Sequence, residues 1–268
     1  MYAWLDHETA IGAKGLPAKA SAIRQFGSYL CAMDNKAFVL PEKFATNSKG
    51  FMPYIFTDSE LTSLFMGIDR LSVDANEPFL YEIAPVLFRL IYTCGLRPNE
   101  GRELLCENID LDSGEILITH TKQRKERIVV MSNNMRAMCL KYGLRRKIFG
   151  VGSPYFFPSK DGSTLKGTKV LAALNRAWTL ATCTPHSPIP QRIRIYDLRH
   201  RFASACLNRW LDEKRDLMVM LPYLCAYMGH RSMNETAYYI HILPENLSKS
   251  PSVDWGLLNS MFSGASAQ

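Results

Sequence analysis

Long uninterrupted apolar runs are missing from this 268-residue chain. Its nearest candidate, PFLYEIAPVLFRLIYTCG, is broken by Glu82, Pro85 and Arg89, whereas a membrane-crossing helix needs about 20 consecutive apolar residues. No membrane partner is therefore expected. Also missing is any CxxC pair, although there are seven cysteines (Cys31, Cys94, Cys106, Cys139, Cys183, Cys206 and Cys225). An odd count, mostly in apolar stretches, predicts reduced and buried thiols rather than a disulfide framework. The six histidines form no HxxxH pair and no Cys/His cluster, which excludes the common zinc signatures, so neither a metal nor a cofactor is expected. There is no internal repeat, no low-complexity tract and no opening pattern of a secretory leader; the chain is expected to be cytoplasmic.

What is present is positive charge. Lys and Arg number 32 against 25 Asp and Glu, a formal net charge of +7, which favours a polyanionic partner, nucleic acid first. Ala20, Ile23, Phe26, Leu30 and Met33 recur at helical spacing and predict a helix over Pro17–Met33, whose apolar stripe must pack on something. Periodicity is lost over 41–53, and 46–53 reads as a linker. Beyond it, Thr57 with Glu60 three residues on is a capping-box pattern for a helix reaching about Leu71. An apolar helix from about Ala84 to Cys94 stops at Gly95, and Pro98 opens a third helix carrying Glu100, Leu104 and Leu105. EILITH and RIVVM alternate with period two around KQRKE, which predicts a hairpin with a basic turn. The remainder reads as helical, with breaks at SPYFFPSKDGS and TPHSPIPQ. The predicted fold class is mainly α with a small antiparallel β-hairpin (α+β).

Several basic residues sit where chemistry could use them. Arg97 lies in a tight corner between the Gly95 stop and the Pro98 start. Lys122, Arg124, Lys125 and Arg127 crowd the hairpin turn, and Arg192, Arg194, Arg199, His200 and Arg201 fall within ten residues. On a helix beginning near Asp197, Arg201 shares a face with Asp197, its expected partner, while Arg199 lies beside Ala203 and Cys206. A partly buried Arg199 needs an anion, either a structural carboxylate or a bound phosphate. In MGHRSMNETAYYIHI, Gly229 breaks a helix, His230 follows, and Ser232 with Glu235 is a second capping-box pattern, opening a helix with Tyr238, Tyr239 and His241. The histidine and tyrosine fit either a proton donor with an oxygen nucleophile or simple core packing.

Taken in order, GLRPNE (95–100), HTKQRKERIVV (120–130), YDLRHRFA (196–203), MGH (228–230) and ETAYYIH (235–241) resemble the tyrosine recombinase family of phage and transposon integrases. The resemblance runs over about residues 54–245. It implies the recombinase catalytic fold, with Arg97 and Arg199 as the two catalytic arginines, Glu100 supporting the first, Lys122 as general acid and His230 as a further donor. Tyr239 matches the nucleophile, nine residues after His230, and Tyr238 matches a helix-packing position. Tyr196 stands where the family usually has histidine. This alters proton handling, because tyrosine titrates near ~10 and histidine near ~6.5. Arg124, Lys125, Arg192, Arg194 and Arg201, with Arg145, Arg146 and Lys147, are expected to contact DNA backbone.

The implied activity is site-specific cleavage and rejoining of double-stranded DNA through a 3′-phosphotyrosyl link, without metal or cofactor. The implied assembly is a homotetramer on a specific recombination site, with accessory DNA-bending proteins as further partners and a nucleoid-associated location. The expected layout is a short helical segment over 1–45, the remnant of a core-binding domain, the linker 46–53, the catalytic domain 54–250 and a tail 251–268. In that tail Trp255, Leu258, Met261 and Phe262 recur at helical spacing; the resemblance implies a short helix exchanged between protomers, the alternative being that it docks on its own domain. Two other functions share the motifs: a DNA-binding regulator with the recombinase fold and impaired catalysis, and a type IB topoisomerase.

Overall fold

The computed structural model describes residues 3, 4, 7, 15–41, 44, 53–119, 126–148, 152–182 and 192–241, with residues 240 and 241 described by their backbone alone. The chain divides into two compact units, Met1–Met52 and Pro53–Gln268. Most of the expected linker, the TPHSPIPQ break and the whole of the tail 251–268 lie outside the described residues. No described helix is long and apolar enough to cross a membrane.

In the first unit, helix α1 (Leu16–Ala32) matches the predicted helix closely, with Pro17 in its first turn. The buried face matches the expected stripe in part, with Ile23 and Leu30 half-buried. Ala20 and Gly27 are buried, whereas Phe26 and Met33 are exposed. The returning strand-like segment explains this. A Cβ on Gly27 would lie 2.6 Å from the Phe38 carbonyl oxygen, so glycine permits the backbone approach there. Arg24 fastens the segment by donating Nε to the Leu40 carbonyl at 2.8 Å and Nη2 to that of Pro41 at 3.0 Å.

The second unit opens with α2 (Asp58–Asp69), capped as its sequence predicts: Glu60 N–H donates to Thr57 Oγ1 at 3.2 Å and Thr57 N–H to Glu60 Oε2 at 2.8 Å. Helix α3 (Leu80–Thr93) begins four residues before the predicted start, because Pro85 is accommodated inside the helix rather than at its first turn. Helix α4 (Pro98–Arg102) is shorter than predicted. Leu104 and Leu105 leave it for extended backbone, where Phe156 N–H donates to the Leu104 carbonyl at 2.7 Å and Leu105 bridges Tyr155. Part of the SPYFFPSKDGS break is thus a core element: Phe156 and Phe157 are buried against Tyr142.

Strands β1 (Glu115–Ile118) and β2 (Arg127–Val130) pair antiparallel, with Glu115 opposite Val130 and Ile118 opposite Arg127. Their alternation sends Ile116, Ile118 and Val129 inward. The helices α5 (Asn133–Ile148), α6 (Gly167–Thr182), α7 (Ile195–Asp212), α8 (Leu217–Met228) and α9 (Met233–His241) complete the unit.

Two apolar clusters hold these elements. One joins α2, α3, α5 and α6 with the hairpin through Leu64, Ile68, Leu87, Phe88, Leu90, Val129 and Leu174. The other joins α7, α8 and α9 through Leu207, Leu221, Leu224, Met228 and Tyr239. Each fully buried Leu or Phe contributes roughly 1.5–3 kcal/mol. The described cysteines are free; Cys94 and Cys139 are buried as expected, but Cys31 is exposed, on the solvent side of α1.

Candidate active site

The site is assembled from two helix ends of the same kind. Helix α3 ends at Gly95, whose φ of 59° lets Leu96 N–H reach back to the Ile91 carbonyl at 3.1 Å. Helix α8 ends at Gly229, φ 66°, with His230 N–H on the Cys225 carbonyl at 3.0 Å. Each left-handed glycine turns the chain sharply. The first turn delivers Arg97 and the second delivers His230.

The exposed carbonyls of these ends then receive arginines. Three successive carbonyls at the end of α8 each accept from a different one. Arg127 Nε donates to Tyr227 at 2.8 Å, Arg199 Nη2 to Met228 at 2.7 Å, and Arg97 Nη2 to Gly229. Arg199 Nη1 also donates to the Gly95 carbonyl. Cations suit the negative end of a helix dipole.

Two of the three guanidinium groups converge on one carboxylate. Glu100, 8% exposed, accepts Arg97 N–H at 2.8 Å, Arg97 Nη1 at 2.7 Å and a two-pronged contact from Arg127 at 3.0 and 2.6 Å. Burial alone would raise the Glu100 carboxyl, but the two arginines hold it below the ordinary value. Arg199 is 1% exposed and has no carboxylate partner among the described residues, and its Nε has no hydrogen-bond acceptor. Burial, and then the charge of Arg97, lower its pKa.

Against this charge stands an aromatic wall. Tyr239, 3% exposed, stacks on His230 (centroids 5.9 Å apart, 17° between planes), and its hydroxyl lies 3.1 Å from His200 Nδ1. Burial pushes the phenol up to about 12, opposed by the nearby Arg199. His230 Nδ1 is 2.7 Å from Thr236 Oγ1. Burial, then Arg199 and Arg97, lower His230 to about 3, and burial lowers His200 to about 4, so both rings are neutral at pH 7. Arg97, Tyr196, Arg199, His200, His230, Glu235, Tyr238 and Tyr239 line an open cleft of about 350 Å³. Its donor set is cationic and aromatic, which suits a phosphate better than a divalent cation.

The structure thus brings together Arg97, Tyr196, Arg199, His230 and Tyr239. Tyr196 is 39% exposed and lies beside Arg97 in the cleft, where it helps raise the pKa of that guanidinium after Glu100, while its ring lies 5.6 Å from that of His200. Tyr238 is 38% exposed rather than packed away. Lys122, Arg124 and Lys125 lie outside the described residues.

Several expected partnerships are corrected. Helix α7 begins at Ile195, so Asp197 occupies its third position and caps the helix. It accepts Arg194 N–H at 2.7 Å and Arg194 Nη2 at 3.0 Å. Arg201 pairs with Asp58 instead of Asp197. Arg192 is exposed beside this helix start. Arg145 pairs with Glu82, and Arg146 Nη2 is held by the Tyr155 carbonyl at 2.9 Å, so these two are engaged within the fold, whereas Lys147 is exposed. At the start of α9, Glu235 accepts Arg231 N–H at 3.3 Å, displacing the capping box expected between Ser232 and Glu235.

Arg127, His200 and Thr236 are the members that sequence reasoning left without a role. Arg127 has the same strand parity as buried Val129, and His200 shares a helical stripe with buried Ala203 and Leu207. Those periodicities were the available signals.

The sequence profile described as the Phage integrase family matches residues 73–246. A Sinorhizobium fredii protein, y4rE, whose name assigns it to the integrases/recombinases, is 29% identical over 243 residues, covering 88% of this chain and 76% of its own. The tyrosine recombinase XerC of Escherichia coli (strain 536) is 26% identical over 243 residues, 90% of this chain and 74% of XerC. Among solved structures, the Tn1549 transposon integrase bound to transposon right-end DNA superposes with a TM-score of 0.67 at 13% identity, over 88% of this chain and 78% of that one. The XerH recombinase in its post-cleavage complex superposes with a TM-score of 0.62 at 21% identity, over 84% of this chain and 63% of that one. The profile match extends from before α3 to the end of α9 and so spans all the elements that build the cleft. This chain belongs to the phage integrase family of DNA strand-transfer enzymes.

Proposed function

We propose that this protein cleaves and rejoins double-stranded DNA at a specific recombination site through a 3′-phosphotyrosyl intermediate on Tyr239. One observation carries the reading: Arg97 and Arg127 share the single carboxylate of Glu100 while Arg199, beside a buried tyrosine, has none among the described residues, leaving an excess of positive charge that a phosphodiester would neutralise. Arg97 and Arg199 grip the non-bridging oxygens and stabilise the charge that grows on them in the transition state. The Tyr239 oxygen attacks phosphorus, the bond to the 5′ oxygen breaks, and Lys122 protonates the leaving oxygen. The phosphotyrosyl bond conserves the energy of the phosphodiester, so the 5′-hydroxyl can reverse the step without an external source. His230, held at Nδ1 by Thr236, contributes Nε2 as a further donor.

Lys125, Arg124, Arg192 and Arg194 add backbone contacts that position the duplex and make affinity salt-dependent. The working assembly is a homotetramer on its site, with the 251–268 tail passed to a neighbour and accessory DNA-bending proteins as further partners.

The test incubates the protein with a tiled set of nicked duplexes from the DNA flanking its coding sequence and looks for a covalent protein–DNA adduct. An adduct is expected from the wild type, is lost in Tyr239→Phe, and falls on the order of 10²- to 10³-fold in rate for Arg199→Lys. No adduct from any duplex, with tight binding retained, would make the protein a regulator. Relaxation of any supercoiled plasmid would make it a topoisomerase.

A further inference from the structure

We propose that His200 is the base that takes the proton from Tyr239, a role open to it because its Nδ1 lies within hydrogen-bond distance of the tyrosine hydroxyl. This inference rests on Tyr239 being the nucleophile. The two side chains come from different helices, α7 and α9, and meet across the cleft at 3.1 Å with their rings 5.4 Å apart. Such a separation allows direct transfer without an intervening water.

No other described group is better placed for that proton. His230 lies over the ring of Tyr239, and its Nδ1 is taken by Thr236. Tyr196 lies beside Arg97 and is a phenol, a far weaker base than an imidazole. Arg199, close to the phenol, is a cation and has no lone pair to offer.

His200 is also available as an acceptor. Burial first, then the charges of Arg194 and Arg199, lower its pKa against the opposing pull of Asp197, so the ring is neutral before the reaction, with one nitrogen free to accept. Accepting from the tyrosine hydroxyl requires the tautomer with hydrogen on Nε2. A phosphodiester seated between Arg97 and Arg199 offsets the positive charge that disfavours a cationic ring. As the Tyr239 oxygen bonds to phosphorus, its proton becomes strongly acidic and passes to Nδ1. The bond from phosphorus to the 5′ oxygen breaks, and that oxygen takes its proton from the general acid. Religation runs in reverse, with the imidazolium returning its proton to the departing tyrosine oxygen.

Two measurements test this. The first uses no DNA: nitrogen-15 spectra of the histidine rings in the wild-type chain at pH 7 should show His200 neutral with hydrogen on Nε2, and its Nδ1 signal should move in Tyr239→Phe. A ring with hydrogen on Nδ1 overturns the proposal. The second follows adduct formation on the tiled nicked duplexes. His200→Asn should bind DNA as the wild type does and form adduct on the order of 10² to 10⁴ times more slowly. Replacing the bridging 5′ oxygen by sulfur, a leaving group that needs no proton, should leave this defect in place. Adduct formation within about threefold of the wild type, or rescue by sulfur, would show that His200 is not the base. If the wild type forms no adduct at all, the recombinase reading fails, and the ring spectra still decide which nitrogen faces Tyr239.

Discussion

Arg127 donates Nη1 and Nη2 to the two oxygens of Glu100, at 3.0 and 2.6 Å, in a pair where the side chains are 9% and 3% exposed. The same carboxylate orients Arg97. Arg127 therefore acts on the catalytic arginine at second hand, through a shared anion, and fixes β2 to the end of α8 through the Tyr227 carbonyl. Breaking a buried pair by removing one partner costs about 3–5 kcal/mol, because the other charge stays behind. Arg127→Ala is expected to lose stability of that order in urea denaturation. Arg127→Lys should recover less than half of it, since an ammonium cannot match both oxygens in the planar fork. A change below about 1 kcal/mol, the range of exposed pairs, would remove the pair from the structural account.

The two glycine helix ends make an ordered prediction. A Cβ on Gly95 would meet the Phe202 ring at 2.5 Å, and one on Gly229 would meet Arg127 Nη1 at 3.1 Å. Both positions have positive φ, which costs a non-glycine residue about 1–2 kcal/mol. Gly229→Ala should lose about that much, the guanidinium yielding slightly. Gly95→Ala should lose more, because the Phe202 ring is confined by its stacking on Tyr227. Equal thermal midpoints for the two variants would contradict the contact argument.

These pairings show which parts of the protein were readable in advance. Helix α2, the hairpin and the stop at Gly95 follow from local rules, namely a capping box, period-two alternation and a left-handed glycine. Their physics lies within a few residues of chain. The motif residues Arg97, Arg199, His230 and Tyr239 were legible as a set from order and spacing, and they meet in the cleft. By sequence Arg127 is one more charge in a basic turn, because its partner, Glu100, is 27 residues away and only the fold unites them. Helical spacing matches Arg201 to Asp197, yet that carboxylate is taken by the helix start, and Asp58 from α2 takes its place. His200 stood in the quoted motif without a role, since its meeting with Tyr239 depends on how α9 folds back onto α7. Tyr196 first suggested a gap in proton handling. With Tyr196 beside Arg97 and His200 on Tyr239, the two positions divide the work differently.

Acid should destabilise this protein well before its carboxylates titrate. His200 and His230 are held at about 4 and about 3 in the fold, below the ~6.5 of an unfolded chain. As pH falls through 6.5, the unfolded state gains protons that the folded state does not bind. Stability therefore falls with falling pH, by up to about 1.4 kcal/mol per pH unit for each histidine, and continues to fall until the folded rings themselves titrate. The depressed Glu100 adds a loss of the same sign only at lower pH. Urea denaturation at pH 7, 6 and 5 should show this slope, and His200→Asn should remove about half of it. A flat profile between pH 7 and 5 would mean that the two rings are not buried as neutral groups.

Thr236 is buried completely, and its hydroxyl, 2.7 Å from His230 Nδ1, is the contact that sets which ring nitrogen faces the cleft. Thr236→Val keeps the volume and the β-branch while deleting the oxygen. Removing one neutral hydrogen bond costs about 1 kcal/mol, so the variant should remain folded with only a modest loss of stability. Its effect on chemistry should be the larger one, because a His230 ring free to change tautomer no longer presents hydrogen on Nε2 to the phosphate. Adduct formation on the nicked duplexes is expected to slow about tenfold, equivalent to about 1.4 kcal/mol, with DNA affinity unchanged. Thr236→Ser, which restores the hydroxyl without the methyl, should recover most of the rate. If serine and valine slow the reaction equally, then Thr236 acts through packing, and the orientation of His230 has to be assigned to its stacking on Tyr239 instead.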